Sequence, residues 1–167
     1  MRINVANQNV YFTSDFHFYH TNIIRFDNRP FRNVDEMNET LVGNWNDKIS
    51  KDDVVFYLGD LSWDGSGPRT KELVNELNGT IHYITGNHDK FRDIKALNRF
   101  ETINDYVELS VPDKDANRGN QEIMLFHYAI MSWDKAHHGA WHLHGHNSES
   151  YKAAIAIYHV RAPKPWH

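Results

Sequence analysis

Short apolar runs alternate along the chain with stretches of helical periodicity. "NVYFTSD", "DVVFYLGD", "IHYITGN", "DYVELSV", "EIMLFHY" and "AWHLHGH" are rich in β-branched and aromatic residues, and each predicts a strand. Between the first two, "NVDEMNETLVGNWNDKI" predicts a helix. Met37, Leu41, Trp45 and Ile49 recur there at four-residue spacing, and Asn33 is placed to cap it with Glu36 three residues on. A second helix fits "PRTKELVNELNG", with Pro68 in its first turn and Gly79 just past its end. A shorter one carries Phe91, Ile94 and Leu97. Strand, helix, strand, helix in this order predicts an α/β domain with parallel pairings. "DYVELSVPDKDANRGNQEIMLFHY" instead predicts an antiparallel hairpin around a polar, glycine-containing turn. No repeat, low-complexity segment or linker divides the 167 residues, so a single domain is expected.

Composition narrows the class. Hydrophobic residues make up 40% and charged residues 24%, ordinary for a soluble globular protein. The net charge of −4 argues against a chain built mainly to coat nucleic acid. With no cysteine, disulfides and thiolate metal sites are both excluded. "MRINVANQNVYF" lacks the apolar region of a signal peptide, and no run approaches membrane-spanning length. The expectation is an intracellular protein with no membrane partner. Histidine is the unusual count: twelve, six of them between His127 and His146.

Mapped onto the strands, the polar residues cluster. The first strand ends in "SDFH", with Asp15 and His17, and the second in "GD", with Asp60. The third ends in "GNHD", with Asn87 and His88. A later strand ends at His127, and the last carries His144 and His146. In open α/β sheets ligands bind beyond the carboxyl ends of strands, where such loops converge. Each residue alone has a bland reading as a turn, a cap or a satisfied histidine. Together, uncompensated, so many polar groups in one concavity would be costly to desolvate, and a metal centre supplies the compensation. Carboxylate, imidazole and amide oxygen without thiolate suit Mn²⁺, Fe²⁺, Zn²⁺ or Ni²⁺, with Mn²⁺ favoured here, rather than a closed structural zinc site. Asp60, mid-order, is the carboxylate to bridge two ions. Two such ions with Asp15, Asp60 and a bridging hydroxide leave a net charge of about +1, attractive to a phosphate ester, and ions ~4 Å apart can clamp an in-line displacement.

"SDFH", "LGD", "GNHD", "FHY" and "HGH" resemble, in order and spacing, the motifs of the calcineurin-like metallophosphoesterase superfamily. "HTNIIRFDNRPFRNVDEMNETLVGNWN" and "SWDKAHHGAWHLHGH" are similar to its small stand-alone members from bacteria and phages. The resemblance covers about Val10 to His146. It implies a four-layer sandwich, two mixed β-sheets face to face with helices outside, working in the cytoplasm of a bacterial cell or phage-infected host. Carried over by position, it implies Asp15 and His17 on the first metal, Asp60 as bridge, and Asn87 and His127 on the second. His88 matches the family's non-ligand histidine, which contacts the phosphoryl group or protonates the leaving oxygen. In "GNHD" the glycine is expected to permit the turn. Asp89 either orients the His88 imidazole or caps the next helix.

The family's closing Gly-His-x-His implies His146 on the second metal, but here Ser148 stands where the last histidine is expected. Alternatively His144 and His146 form the pair. Residues 147–167 depart from the family pattern. Arg25, Arg29 and Phe31, in "RFDNRPF", are candidates for substrate contact or belong to a loop packed by its own aromatics; Asn87 also lies within reach of substrate. The reading that follows is hydrolysis of a small phosphomonoester, phosphodiester or cyclic nucleotide by direct attack of metal-bound hydroxide, without a covalent intermediate. Two rivals stand beside it: a metal-binding scaffold with an impaired first site, and a nuclease, against which the acidic balance weighs.

Overall fold

A computed structural model describes residues 1–5, 8–116, 119–146 and, by backbone, 158–161. The strands are β1 (Arg2–Asn4), β2 (Asn9–Thr13), β3 (Val54–Tyr57), β4 (Thr80–Ile84), β5 (Thr102–Asn104), β6 (Tyr106–Pro112), β7 (Asn120–Phe126), β8 (Trp141–Leu143) and β9 (Tyr158–Arg161). The helices are α1 (Ile23–Phe26), α2 (Val34–Lys48), α3 (Pro68–Glu76) and α4 (Phe91–Ala96). Five strands form one sheet in the order β5-β4-β3-β2-β9, and four form the other in the order β1-β6-β7-β8. As the strand–helix alternation predicts, β2, β3 and β4 pair in parallel, and the hairpin β6–β7 is antiparallel. Both sheets are mixed, because β9 joins β2 antiparallel while β1 and β8 run parallel to β6 and β7. This is the two-sheet architecture that the motif resemblance implies.

Alternation along the strands sorts the side chains into two cores. Val10, Phe12, Val54, Phe56 and Ile84 face Val107, Leu109, Val111, Ile123 and Leu125 between the sheets. On the other face of the five-stranded sheet, Val55, Tyr57, Ile81 and Tyr83 pack against Met37, Leu41 and Trp45 of α2, Leu73 and Val74 of α3, and Ile94 of α4. Central strand β3 is therefore buried on both faces, which is why "VVFY" carries no polar position. The outer face of the four-stranded sheet is covered by a loop with one 3-10 turn, Ala136–His138; Lys135 pairs there with Glu122, and Trp133 packs on His142.

The cap of α2 forms as expected: Asn33 accepts from the Glu36 N–H at 2.9 Å, while the Glu36 carboxylate reaches back to the N–H of Arg32 at 2.8 Å. In α4, Ile94 is buried, but Phe91, expected on the same face, is 55% exposed. The segments β1, β5 and β9 have three or four residues each, too few to show a period.

Candidate metal centre

Past the ends of β2 and β3 the ladder continues irregularly. The N–H groups of Asp15, His17 and Phe18 donate to the carbonyls of Gly59, Asp60 and Leu61 at 2.9, 3.1 and 2.8 Å. Phe16 and Phe18 anchor the first loop: both are buried, and Phe16 stands edge-on to Phe18, Trp45 and Tyr57. Their burial turns the residues between and before them the other way. Asp15, His17 and Asp60 adopt left-handed backbone at φ +57°, +53° and +59°, and His146 joins them at +53°. Each such non-glycine residue costs on the order of 1–3 kcal/mol, a strain that clusters where side chains must be aimed.

Two groups of ligand atoms result. Asp15, His17 and Asp60 form one, and Asp60, His127 and His146 the other; within each, all donor atoms lie within 4.8 Å of one another. Asp60 belongs to both. His17 Nε2 stands 3.9 Å from Asp15 Oδ1 and 3.8 Å from Asp60 Oδ2. His127 is fully buried, with Nδ1–H donating to the Leu58 carbonyl at 2.6 Å. That bond fixes the ring and presents Nε2 to Asn87 Oδ1 at 2.9 Å and Asp60 Oδ2 at 3.5 Å. His146 Nδ1 lies 2.8 Å from the same Asn87 oxygen.

The electrostatics of the cluster call for a cation. A neutral imidazole has one N–H, yet His127 turns both nitrogens to oxygens. Burial would lower its pKa, but the Asp60 carboxylate and the Leu58 carbonyl together raise it. For Asp60, burial works upward and is outweighed by the bond with His127 and the backbone N–H of His88, so the carboxyl is lowered. Burial raises Asp15, with the Ser14 bond and the charge of His127 acting against it. His17 is pushed down to about 3 by burial, against the pull of Asp60, and is therefore neutral, the form that binds a metal. Buried carboxylates and imidazoles converging on shared points fit divalent ions with mixed oxygen and nitrogen preference.

Not every expected residue lies in these groups. His144 Nδ1 donates to the Gly145 carbonyl at 2.7 Å, and the ring stacks on His142. Ser148 lies outside the described residues. Arg29 has a different task from substrate contact. Its side chain is almost wholly buried and donates to the carbonyls of Asp15 and Phe16 at 2.9 and 2.8 Å, with Asp27 as its carboxylate partner. It therefore holds the left-handed loop from behind. Arg25 sits over the ring of Phe26, and Phe31 packs against the helix-side core.

The glycine of "GNHD" also acts differently than expected. Gly86 has ordinary backbone; a Cβ there would collide with the Asp60 carboxylate, so the glycine provides close approach rather than a turn. Gly145 does the same for Asp15, whose Oδ2 would stand 2.7 Å from an added Cβ. Asp89 neither orients His88 nor caps α4. Its Oδ2 accepts from the N–H of Asp60 at 2.9 Å, the N–H of Gly86 at 2.7 Å and the hydroxyl of Tyr83 at 2.8 Å. It ties the Asp60 loop to the Asn87 loop. Its adjacency to Asn87 and His88 was the only sequence signal of that role.

A cavity of about 280 Å³ opens on the centre; its lining includes Asp15, His17, Asp60, His88 and His146 together with His20, Phe26 and Trp63. A larger groove, about 750 Å³, lies at the opposite end of β7; its Arg2 and Lys135 are both engaged by Glu122.

The sequence model of the calcineurin-like phosphoesterases matches residues 9–162. The chain belongs to that family. Metal-dependent hydrolysis of phosphoesters is the chemistry the family carries, and the chain has two candidate groups of metal ligands. An uncharacterized protein of Methanocaldococcus jannaschii is 37% identical over 144 residues, 86% of this chain and 71% of the relative. The Gene 66 proteins of Mycobacterium phages D29 and L5 are 30% and 28% identical over 159 residues, spanning 83% of this chain and 77% and 76% of theirs. A crystal structure of a protein of unknown function from Aquifex aeolicus shares the fold, with a TM-score of 0.65 at 23% identity over 89% of this chain and 84% of that one. Among the described residues no helix is long and apolar enough to cross a membrane.

Proposed function

We propose that the protein hydrolyses a small phosphoester at a centre of two divalent ions, Mn²⁺ first among Mn²⁺, Fe²⁺, Zn²⁺ and Ni²⁺. The observation that carries this reading is the sharing of Asp60 between two convergent ligand groups. Asp15, His17 and Asp60 hold one ion; Asp60, Asn87, His127 and His146 hold the other. When bound, such ions supply Lewis acidity toward the phosphoryl oxygens and lower the pKa of a coordinated water. The chain's own residues do the rest. Leu58 fixes the His127 ring, Asp89 fixes the loop of Asp60, and Arg29 fixes the loop of Asp15 and His17.

His88 is the general acid in this reading. It is exposed at the rim of the cavity, its ring 5.6 Å from that of His17, and its backbone N–H is held by Asp60 Oδ1 at 2.9 Å. From there it gives a proton to the departing oxygen or holds the phosphoryl group. Among the described residues neither lysine nor arginine lines the cavity, which supports a small ester over a nucleic-acid backbone, whose recognition relies on such cations.

Metal analysis of the purified protein and a panel of phosphomonoesters, phosphodiesters and cyclic nucleotides test the proposal. Two ions per chain and hydrolysis that vanishes on chelation and returns with Mn²⁺ are expected. A chain that binds metal but turns over no ester with any of the four ions would be a scaffold, and the proposal would be wrong.

A further inference from the structure

Two of the large apolar side chains left open to solvent stand on one wall of the metal-site cavity: Phe26 is 62% exposed and Trp63 is 57% exposed. Neither position is accidental. The Trp63 N–H donates to the Phe18 carbonyl at 2.9 Å, the last rung of the ladder that also sets Asp15 and His17. The indole is held by the ring of His20, stacked at 4.1 Å and 29°, and it stands 5.5 Å from the ring of His88. Phe26 meets the edge of the same His20 ring at 6.2 Å. The three rings form one aromatic wall, braced through His20 against His17, whose ring is 6.0 Å away.

The rest of the lining includes the candidate ligand residues Asp15, His17, Asp60 and His146. Among the described residues the lining includes no lysine or arginine, its Asp27 is paired to buried Arg29, and Arg25 sits over the Phe26 ring, so bound metals would be the main seat of positive charge for a phosphate. A bound ester has one orientation that matches both parts of the lining: phosphoryl group to the metals, organic part to the rings. Flat π-systems gain most from such a wall, because stacking rewards area and ring quadrupole together.

We propose that Trp63 and Phe26 form a platform that stacks a planar aromatic group carried by the phosphoester, and so select nucleotide-like or aryl esters over sugar and alkyl phosphates. The proposal rests on the hydrolase reading for the seat of the phosphate, and its test separates the two. Calorimetric titration of the Mn²⁺-loaded protein compares adenosine 5′-monophosphate, phenyl phosphate and ribose 5-phosphate. Both aromatic ligands are expected to bind tighter than the sugar phosphate, the better by roughly 5- to 150-fold, the range that one stacked ring contributes. A larger margin for the adenylate than for phenyl phosphate marks a base as the natural group; the reverse marks a simple aryl ester.

Trp63→Ala, and more so the Trp63→Ala/Phe26→Ala pair, should erase the margin while ribose 5-phosphate binds as before. Trp63→Phe should keep most of it, which separates stacking from a general loss of fold. Equal binding of all three ligands, or a margin that survives the double substitution, overturns the platform. Hydrolysis of the ester panel, run on the same preparations, reports separately on the hydrolase. Turnover without aromatic preference sinks only the platform, and aromatic preference without turnover sinks only the hydrolase.

Discussion

The backbone N–H of Asp60 is held by the carboxylate of Asp89 at 2.9 Å, and the same Asp89 oxygen takes the N–H of Gly86 and the hydroxyl of Tyr83. The loop that carries the shared carboxylate is thus held by a second carboxylate that belongs to neither ligand group. Asp89→Asn leaves one neutral oxygen for three donors. Loss of a charged acceptor costs about 1.5–3 kcal/mol, and denaturant melts of the variant should show a loss of that size. Metal titration should show weaker binding in both ligand groups, since both include Asp60. A variant that melts and binds as the parent does would remove Asp89 from this role.

Asp60 and Asp15 should differ when replaced. Asp60 serves both groups, so Asp60→Ala should abolish tight binding of both ions. Asp15 serves one, so Asp15→Ala should leave one ion in place. Counting Mn²⁺ per chain across a titration checks this; full occupancy in Asp60→Ala would rule out a shared ligand.

His88 belongs to neither ligand group. His88→Ala should lower turnover by about 10²-fold or more, the usual worth of a general acid, with metal content unchanged. Loss of metal in that variant would make His88 a ligand.

His82 offers a pH test away from the metals. Its ring is buried, stacked on Phe56 at 4.9 Å, with Nδ1 2.9 Å from the Thr102 hydroxyl. Burial holds its pKa below the ordinary 6.5, with Glu101 acting weakly the other way. As pH falls below 6.5 the unfolded chain takes up this proton before the folded one does. Stability present above 6.5 is therefore lost on acidification, with a slope of up to about 1.4 kcal/mol per pH unit. Urea melts across that range should show a shallower acid limb for His82→Gln than for the parent. Parallel limbs would mean that His82 titrates alike in both states.

The strands and the long helix were legible because their periods run over enough residues: "VVFY" reads as a doubly buried strand, and Asn33 with Glu36 reads as a cap. The residues of the two candidate ligand groups were legible as a cluster because each lies within four positions of the end of a strand. What supports them was not. Arg29 looks like a solvent-facing loop residue, and only the fold brings it under the carbonyls of Asp15 and Phe16. Asp89 follows His88 in a turn-forming string, where capping is the local alternative; its true partners Asp60 and Tyr83 lie on other segments. Gly86 looked like a turn because glycine usually is one, whereas the need here is room for a carboxylate from the neighbouring strand's loop. The short strands β1 and β5 owe their state to pairing with β6 and β4, which no local pattern encodes.

The two ligand groups differ in what they join. Asp15, His17 and Asp60 all follow strands of the five-stranded sheet, whereas His127 and His146 follow β7 and β8 of the other. An ion in the second group would therefore be a clasp across the interface between the layers, and an ion in the first would not. We expect the two to act differently on the lifetime of the native state: the sheets cannot part without stripping the clasping ion, so filling the second group should slow unfolding and proteolysis, while filling the first leaves those rates nearly unchanged. Unfolding rates followed at stepwise metal occupancy would show it, as a drop confined to one of the two binding steps. A cell that starves such a protein of metal would then shorten its survival at the moment the clasp empties, whatever the state of its neighbour.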